Sequence, residues 1–352
     1  MPRLPKPRTV SIRDVADLAG VSLGSASRVI NKVENVGAGT REKVEAAIAQ
    51  LGYRPNHAAQ SLRLRSTRTI GCLLTDVSNP LYAKLYRALE ERMRSAGYMM
   101  LLANGLNQPE REVEILSTFK TRGMDGLLIA PGGERDAQVL TTIRELGIPT
   151  VVLDRDLALD LDDTPTDRVL FDHRPGMKQL VQELAALGHT RMALVVTQSP
   201  NRPMRGRIEG FRAGHKASGL ALDDALLVRL PSATSSAFEA VKQLLQRPAR
   251  PTALIVMGTN ILSETLNAIS ACALRIPQDV SLVAVGDPDF AANHVPPISS
   301  LRVDLDEVAD AACRLLLSRM RGESSEGART VRIANRFIER ASCGPAPQQG
   351  KA

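Results

Sequence analysis

The residues from 22 to 31 carry side chains that could read a nucleic acid. Within the sequence SLGSASRVIN, one face of a short predicted helix presents Leu23, Gly24, Ser27 and Arg28. An arginine guanidinium can donate hydrogen bonds to O6 and N7 of guanine together, which identifies that base in the DNA major groove. The alternative is a small helical hairpin whose polar face is only solvated.

Two short helices joined by a tight turn would hold this face in place. Apolar residues recur at helical spacing and predict a buried face on each helix: Ile12, Val15, Ala16 and Ala19, then Ala26, Val29 and Ile30. Ser11 and Ser22 stand where N-caps are expected, and Gly20 permits the positive φ of the turn. Helices this short must pack on a neighbour, and a third helix is predicted to run through Leu51.

The charge of the chain is concentrated near its N-terminus. Residues 1–69 hold 12 Lys and Arg against 5 Asp and Glu, whereas residues 70–352 hold 33 of each. This placement predicts a polyanionic partner for the segment with the two-helix motif, the alternative being a solubilising basic arm. The chain has no Trp and few other aromatic residues, which argues against base-stacking platforms for single strands.

From residue 70 onward, short apolar runs alternate with amphipathic stretches. The runs predict strands at 70–74, 98–103, 126–130, 149–153, 167–171, 191–196, 252–257 and 280–285. The amphipathic stretches predict helices at 81–96, 109–122, 134–146, 174–187, 203–218, 233–246, 260–273 and 305–321. Such alternation is typical of parallel sheets covered by helices on both faces. We predict two facing lobes, divided near residue 165, that bind a small molecule in the cleft between them.

Other classes of protein are not indicated. The four cysteines lie far apart without a C-x-x-C pair, which predicts reduced thiols in a cytosol and no metal site. The first residues lack the apolar core of a signal peptide, and there is no run of about 18 apolar residues, so we expect a cytoplasmic protein without a membrane partner. The chain has no G-x-G-x-x-G after a strand, no Walker motif and no G-x-S-x-G, so we expect neither an enzyme nor a cofactor.

Several segments resemble the lactose-repressor (LacI) family of bacterial transcription regulators. They are DVADLAGVS, SRVIN, TREKVEAAIAQLGYRPN and AAQSL, then SNPLY, GMDGLLIAP, LGHTRMALV and RIEGF, which span about Val10 to Arg340. The resemblance implies an all-α helix-turn-helix head and a hinge helix, followed by a two-lobed α/β core with parallel sheets, like that of periplasmic binding proteins. It also implies a homodimer that binds a pseudo-palindromic DNA operator and changes its DNA affinity when an effector fills the cleft.

The resemblance assigns base reading to Leu23, Gly24 and Arg28. Gly24 has no side chain and Leu23 can touch only apolar surface such as a thymine methyl, so Arg28 would carry an unusual share of the readout. The alternative for Arg28 is a phosphate contact that only positions the helix. Phosphate contacts are implied for Ser22, Ser25, Ser27 and Asn31.

The hinge implied by the resemblance lies within residues 55–69. DNA contacts are implied there for Asn56, His57 and Ala59, and Leu62 matches the residue that wedges into the minor groove and kinks the duplex. A helix this short would fold only against DNA or against the same segment of a second subunit. The alternative for Leu62 is an ordinary contact between linker and core.

Seven core residues match positions that contact the effector in this family: Leu81, Tyr82, Asp154, Asp172, Arg207, Asn260 and Asp287. The polar ones could instead be loop groups that are satisfied locally. Gly286 stands where the family usually has a ligand carboxylate, although Asp287 or Asp289 could take its place. Four arginines are expected nearby, namely Arg155, Arg202, Arg205 and Arg207. These departures predict an anionic effector such as a sugar acid, or else a neutral sugar.

These observations predict a head (1–54), a hinge helix with linker (55–69), an effector-binding and dimerisation core (70–340) and a flexible tail (341–352). Lobe 1 would hold about 70–166 plus 299–322, and lobe 2 about 167–298 plus 323–340. The tail lacks a leucine heptad, which favours a dimer over a tetramer. The predicted function is a nucleoid-associated, ligand-responsive repressor of a carbohydrate or sugar-acid catabolic operon; the alternative is a small-molecule carrier without a transcriptional role.

Overall fold

The computed structural model describes residues 10–31, 35–54, 66–158, 166–231, 236–323 and 327–347. The chain divides into a small helical unit that ends at Thr67 and a larger α/β unit that begins at Arg68. Within the described ranges, we find no helix that is both long and apolar enough to cross a membrane.

Three helices of the small unit are described: α1 (Ile12–Ala19), α2 (Leu23–Ile30) and α3 (Ala38–Leu51). A capping box begins α1, because the Ser11 hydroxyl accepts the Asp14 N–H while the Asp14 carboxylate accepts the Ser11 N–H. One apolar cluster joins the three helices through the buried residues Val15, Ala16, Ala19, Ala26, Val29, Val44 and Ala47. The predicted helices are confirmed, although Ile12 and Ile30 are only half-buried.

The larger unit alternates strands and helices as predicted. Its strands are β1 (Thr69–Leu74), β2 (Met99–Asn104), β3 (Gly126–Ile129), β4 (Thr150–Leu153), β5 (Thr166–Asp172), β6 (Met192–Thr197), β7 (Leu227–Leu230), β8 (Ala253–Met257), β9 (Ser281–Val285), β10 (Ser299–Val303) and β11 (Thr330–Ile338). Its helices are α4 (Pro80–Ser95), α5 (Pro109–Thr121), α6 (Ala137–Glu145), α7 (His173–Ala186), α8 (Arg202–Ala217), α9 (Phe238–Leu245), α10 (Thr259–Ala271), α11 (Asp289–Asn293) and α12 (Leu305–Met320). The sequence pattern missed β7, β10 and α11, which are short and interrupted by polar residues.

The strands pair in the order β2-β1-β3-β4-β5-β11-β10-β9-β8-β6-β7, and among the described strands only β10 and β11 are antiparallel neighbours. In lobe 1 the sheet packs against α4 and α12 on one face and against α5 and α6 on the other. In lobe 2 it packs against α7 and α8 on one face and α9 and α10 on the other. The prediction of parallel sheets covered on both faces is confirmed.

Strand β11 passes from one lobe to the other. Its residues 330–334 pair with β5, and its residues 335–338 pair with β10. Because β5 also pairs with β4, and β10 with β9, residues 166–172 belong to the sheet of lobe 1 and residues 299–303 to that of lobe 2. The lobes therefore exchange strands a few residues away from the predicted boundaries, since strand pairing and not loop polarity fixes the crossover.

The chain beyond residue 340 is packed on lobe 2 as far as residue 347. Ser342 is fully buried, its hydroxyl donates to the Leu282 carbonyl at 2.6 Å, and it accepts the Ser299 N–H at 2.7 Å. The prediction of a flexible tail is wrong for residues 341–347. Small polar residues there complete hydrogen bonds of the sheet, which composition alone does not reveal.

Candidate nucleic-acid interface and ligand cleft

Helix α2 is held by its buried face and by the cap at its start. The Ser22 hydroxyl accepts the Ser25 N–H at 3.1 Å, so one first-turn donor of the helix has a partner. Ala26 and Val29 are buried against the other two helices, and Gly20 turns the chain with a φ of 64°. The opposite face of α2 is thereby presented in a fixed orientation.

The predicted reading residues lie on this exposed face. Leu23 keeps 45% of its surface exposed, and Gly24 and Arg28 are exposed as well. A Cβ added at Gly24 would meet only the Ser22 hydroxyl, at 3.8 Å, so internal packing does not require glycine there. The exposed backbone at Gly24 lets a partner approach α2 closely beside Arg28.

The predicted phosphate-contacting residues are distributed along α2, from its N-cap, Ser22, to its C-cap, Asn31. The hydroxyls of Ser22 and Ser25 are 3.0 Å apart, and Nδ2 of Asn31 donates to the Ser27 carbonyl at 2.7 Å. These bonds join exposed or half-buried groups, so the same hydroxyl and amide groups can also bond to an external acceptor. The predicted hinge residues Asn56, His57, Ala59 and Leu62 lie outside the described residues.

The predicted ligand cleft lies where strands β4 and β5 of lobe 1 meet helices α7 and α8 of lobe 2. Asp154 follows β4 with a φ of 51° and is almost fully buried. Its carboxylate contacts Arg202 Nη1 and His173 Nε2, each at 2.7 Å, and accepts the Phe171 N–H at 3.1 Å. Burial alone would raise the pKa of Asp154, but His173 and the nearby arginines outweigh it and lower the pKa.

Arg155, the next residue, is buried inside lobe 1. Its guanidinium donates to the Thr75 hydroxyl and the Tyr82 hydroxyl, both at 2.7 Å, and to the Pro131 carbonyl at 2.8 Å. Tyr82 therefore holds Arg155. Its partners within hydrogen-bonding distance are neutral, but the Glu134 carboxylate lies 3.8 Å from its Nε and balances part of its charge.

Glu134, in the loop between β3 and α6, faces the start of α8. Both of its carboxylate oxygens accept the N–H of Arg202, at 3.0 and 2.9 Å. Arg205 Nη1 lies 3.4 Å from the carboxylate, and Arg155 Nε lies 3.8 Å from it. A lobe 1 carboxylate thus contacts the first turn of a lobe 2 helix.

Arg207 lies one turn further along α8. Its Nη1 contacts the Met257 sulfur at 2.9 Å, while its buried Nε has no hydrogen-bond partner among the described residues. Burial lowers the pKa of Arg207, although Asp154 and Tyr82 act in the opposite direction. The half-buried Arg207 thus keeps one unused donor that can bind an acceptor on a ligand. Asn260, also predicted in the site, is exposed at the start of α10.

The other predicted effector residues have different surroundings. Asp287 pairs with Arg340, whose Nη1 and Nη2 each lie 2.9 Å from a carboxylate oxygen, and with Arg302 at 3.2 Å. Asp172 lies 3.5 Å from Arg332, and Leu81 is half-buried at the start of α4. The structure therefore brings Tyr82, Asp154 and Arg207 around one centre, with Asp287 held by other groups.

Sequence reasoning left Glu134 and His173 out of the site. Glu134 stands in a loop, in the sequence PGGERD, where a carboxylate is ordinarily assumed to be solvated. His173 directly follows Asp172, and the sequence analysis predicted Asp172 as the effector contact instead. A usable signal was the spacing of Arg202, Arg205 and Arg207 at the start of one helix, because so dense a set of cations needs acidic partners.

Comparisons with known proteins match both units. Residues 11–56 match the profile for bacterial regulatory proteins of the lacI family, and residues 181–343 match a periplasmic binding protein-like domain. The ribose operon repressor of Escherichia coli (strain K12) is 32% identical over 310 residues, which are 88% of this chain and 93% of that protein. The transcriptional repressor PurR of Erwinia tasmaniensis is 30% identical over 338 residues, 96% of this chain and 98% of its own length.

Solved structures give the same result. The lac repressor dimer bound to operator and the anti-inducer ONPF superposes with a TM-score of 0.82 at 26% identity, covering 96% of this chain and all of that one. A complex of the transcriptional regulator CelR with cellobiose gives a TM-score of 0.70 at 27% identity, over 95% of this chain and 99% of that one. The likeness thus extends over head and core together.

Proposed function

Because this chain belongs to the LacI family and is a DNA-binding transcriptional regulator, we propose that it represses a carbohydrate or sugar-acid catabolic operon in response to an effector. It would bind a pseudo-palindromic operator as a homodimer in the bacterial cytoplasm, without enzymatic activity. Effector and operator would favour different arrangements of the lobes, so that binding of one changes the affinity for the other.

The observation that carries the DNA-binding part is the exposed face of α2. Leu23, Gly24 and Arg28 share this face, while Ala26 and Val29 on the other side are buried. The net positive charge of the chain also lies in the first 69 residues. Together they support a major-groove helix whose sequence preference depends mainly on Arg28.

Fluorescence anisotropy with DNA from upstream of the gene tests this proposal. Arg28→Ala should weaken binding to the operator by about 1–3 kcal/mol, the value of a bidentate base contact, and should weaken binding to scrambled DNA much less. Arg13→Ala, which removes an exposed arginine from α1, is the matched control and should affect both DNAs alike. Equal losses on operator and scrambled DNA for Arg28→Ala would contradict the proposed base contact.

A homodimer is supported by the outer strand of lobe 1. Strand β2 is an edge strand in the sheet order, and Met99, Leu101 and Leu102 on it are 73%, 40% and 37% exposed. An apolar edge strand of this kind favours pairing with another chain. We propose that this strand contributes to the contact between the two subunits.

The effector is proposed to carry an acidic group. Four arginines, Arg155, Arg202, Arg205 and Arg207, lie at the cleft, whereas the carboxylates in contact with them are Glu134, Asp154 and Asp156. Arg207 has the donor without a partner in the described structure. A carboxylate on a sugar acid would satisfy that donor and balance the remaining charge.

Isothermal titration calorimetry with a panel of sugar acids and the matching neutral sugars tests the effector class. Wild-type protein should bind a sugar acid, and Arg207→Gln should weaken that binding by at least about tenfold, as expected for a lost charged hydrogen bond. Arg212→Gln is the control, because it removes an arginine from the exposed side of α8, 3.6 Å from Asp224. Tight binding of a neutral sugar with no binding of any sugar acid would refute the proposed effector class.

A further inference from the structure

Glu134 links the two lobes of the larger unit. It stands in the loop after β3 of lobe 1, and both of its carboxylate oxygens accept the Arg202 N–H at the start of α8 in lobe 2. The first N–H groups of a helix have no partner within the helix, and the positive end of the helix favours an anion there. The chain's own carboxylate thus occupies the anion-binding end of α8.

The surroundings make this contact stronger than an ordinary surface pair. Glu134 is only 4% exposed, and Arg205 and Arg155 lie 3.4 and 3.8 Å from its carboxylate. Charges this deeply buried are little screened by salt. The interlobe pair of Lys84 and Asp289 is different, because those side chains are 41% and 84% exposed and an exposed pair contributes little.

Glu112 holds the loop that carries Glu134 in place. The fully buried Glu112 of α5 accepts the N–H of Gly132 at 2.6 Å and that of Gly133 at 3.1 Å. A Cβ at Gly132 would lie 2.6 Å from the Asn107 side chain, so the loop also packs closely on its neighbour. Glu134 therefore projects from a fixed support, and movement of α8 away from lobe 1 must break its contact with Arg202.

We propose that Glu134 is an intramolecular anion that closes the lobes without an effector and thereby positions α8, and with it Arg207. The closure does not depend on the effector class, and only the role of Arg207 rests on the proposed function. An effector would then enter a cleft whose cationic helix is already in place. Without Glu134, part of the binding free energy would be spent on closing the lobes, and effector affinity would fall accordingly.

Hydrogen–deuterium exchange of the full-length protein, without effector or DNA, tests this proposal. The amide of Arg202 would ordinarily be unprotected in the first turn of a helix, so its protection reports the Glu134 contact directly. In Glu134→Ala, peptides that contain Arg202 should exchange at least about tenfold faster, the factor expected for losing a hydrogen bond to a charged group. Small-angle X-ray scattering should show a larger radius of gyration for this variant.

Two further variants separate the effect of the Glu134 contact from a general effect of charge. Asp289→Asn makes the same change in net charge and breaks the exposed interlobe pair, so its exchange and scattering should match the wild type. Glu134→Gln keeps the shape of the side chain and can accept one hydrogen bond, and we expect a smaller effect from it than from Glu134→Ala. Wild-type exchange and scattering in Glu134→Ala would overturn the proposal, and so would equal changes in Glu134→Ala and Asp289→Asn. Because no effector is present, neither result depends on the effector class.

Discussion

Replacing Asp167 with asparagine should lower the free energy of unfolding of lobe 1. Asp167 lies in β5 and is fully buried. Its carboxylate accepts hydrogen bonds from the side chains of Arg319 and Arg329 and from the Arg329 N–H. Arg319 belongs to α12 and Arg329 directly precedes β11, so one carboxylate joins β5 to two segments that lie 152 and 162 residues further along the chain. In Asp167→Asn an amide NH₂ would face guanidinium donors, and both arginines would lose their counter-charge.

The expected loss follows from the burial of the three groups. Breaking a buried ion pair on one side costs about 3–5 kcal/mol, because the remaining charge is left without compensation. The Arg319 side chain is 8% exposed and that of Arg329 is 30% exposed, so Arg329 can recover some hydration. We therefore expect the lower end, about 3 kcal/mol, which at about 3 kcal/mol per molar urea lowers the unfolding midpoint by about 1 M.

The contribution of Asp167 to stability should depend on pH in a known direction. Burial alone would raise the pKa of Asp167, but the hydrogen bonds from Arg319 and Arg329 outweigh it and lower the pKa. A carboxyl group with a lowered pKa in the folded state stabilises the protein fully above its unfolded pKa of about 3.9. That contribution is lost as the pH falls through the lower, folded pKa. The difference in stability between wild type and Asp167→Asn should therefore shrink below about pH 4.

Tyrosine fluorescence in urea suits this measurement, because the chain has no Trp and only four tyrosines. Tyr82, Tyr86 and Tyr98 all pack against the core of lobe 1, so the signal reports mainly on that lobe. Glu91→Gln is the control, since its pair with Arg87 lies within one helix on the surface and should leave the midpoint almost unchanged. If Asp167→Asn unfolds at the wild-type midpoint, the reasoning about this buried cluster is refuted.

Three further predictions concern lobe 2, helix packing and the subunit contact. Burial lowers the pKa of His189, whose Nε2 donates to the Gly344 carbonyl. The free energy of unfolding should therefore fall as the pH drops below about 6.5. In His189→Gln, the urea midpoint should fall less over the same pH range. Gly214→Ala places a Cβ 2.5 Å from Val181 between α7 and α8 and should cost about 1–3 kcal/mol in urea unfolding, despite the better helix propensity of alanine. The control is Gly39→Ala in α3, where the added Cβ meets nothing within 4 Å, and it should be neutral or stabilising by up to about 1 kcal/mol. If Gly39→Ala and Gly214→Ala both destabilise the protein, the packing argument is contradicted. Met99→Glu on the edge strand should weaken self-association in sedimentation velocity, and an unchanged dimer would exclude that strand from the contact.

The head could be predicted from sequence because its signals are local. Ser11, Gly20 and Ser22 mark the ends of two helices within a span of twelve residues, and each takes the predicted cap or turn. The alternation of strands and helices in the core is equally local, which is why the parallel sheets were predictable. The crossover of β11 was not, because its pairing with β5 and β10 depends on strands far away in the chain.

The cleft was less predictable because its chemistry depends on which charges meet. Asp154 and Arg207 were predicted only from the resemblance to the LacI family, and the partners of Asp154 come from residues 19 and 48 positions later. Glu134 shows the limit most clearly, since nothing in its own loop indicates that it contacts a helix 68 residues further on. Only the fold brings a loop of one lobe to the first turn of a helix in the other.

The charge balance of the cleft follows from these long-range pairings. Gly286, with a φ of 93°, supplies no carboxylate, and the sequence left open whether Asp287 could replace it. Arg340 and Arg302 hold Asp287, and the bond from Arg340 is bidentate, so moving Asp287 to a ligand would leave the mostly buried Arg340 without its counter-charge. That cost exceeds what one sugar hydroxyl could return, because a neutral hydrogen bond contributes about 1 kcal/mol and a charge-assisted one about twice that. Asp287 is therefore not available to Arg207, which supports the proposal that an acidic group of the effector binds the Arg207 Nε, unpaired among the described residues.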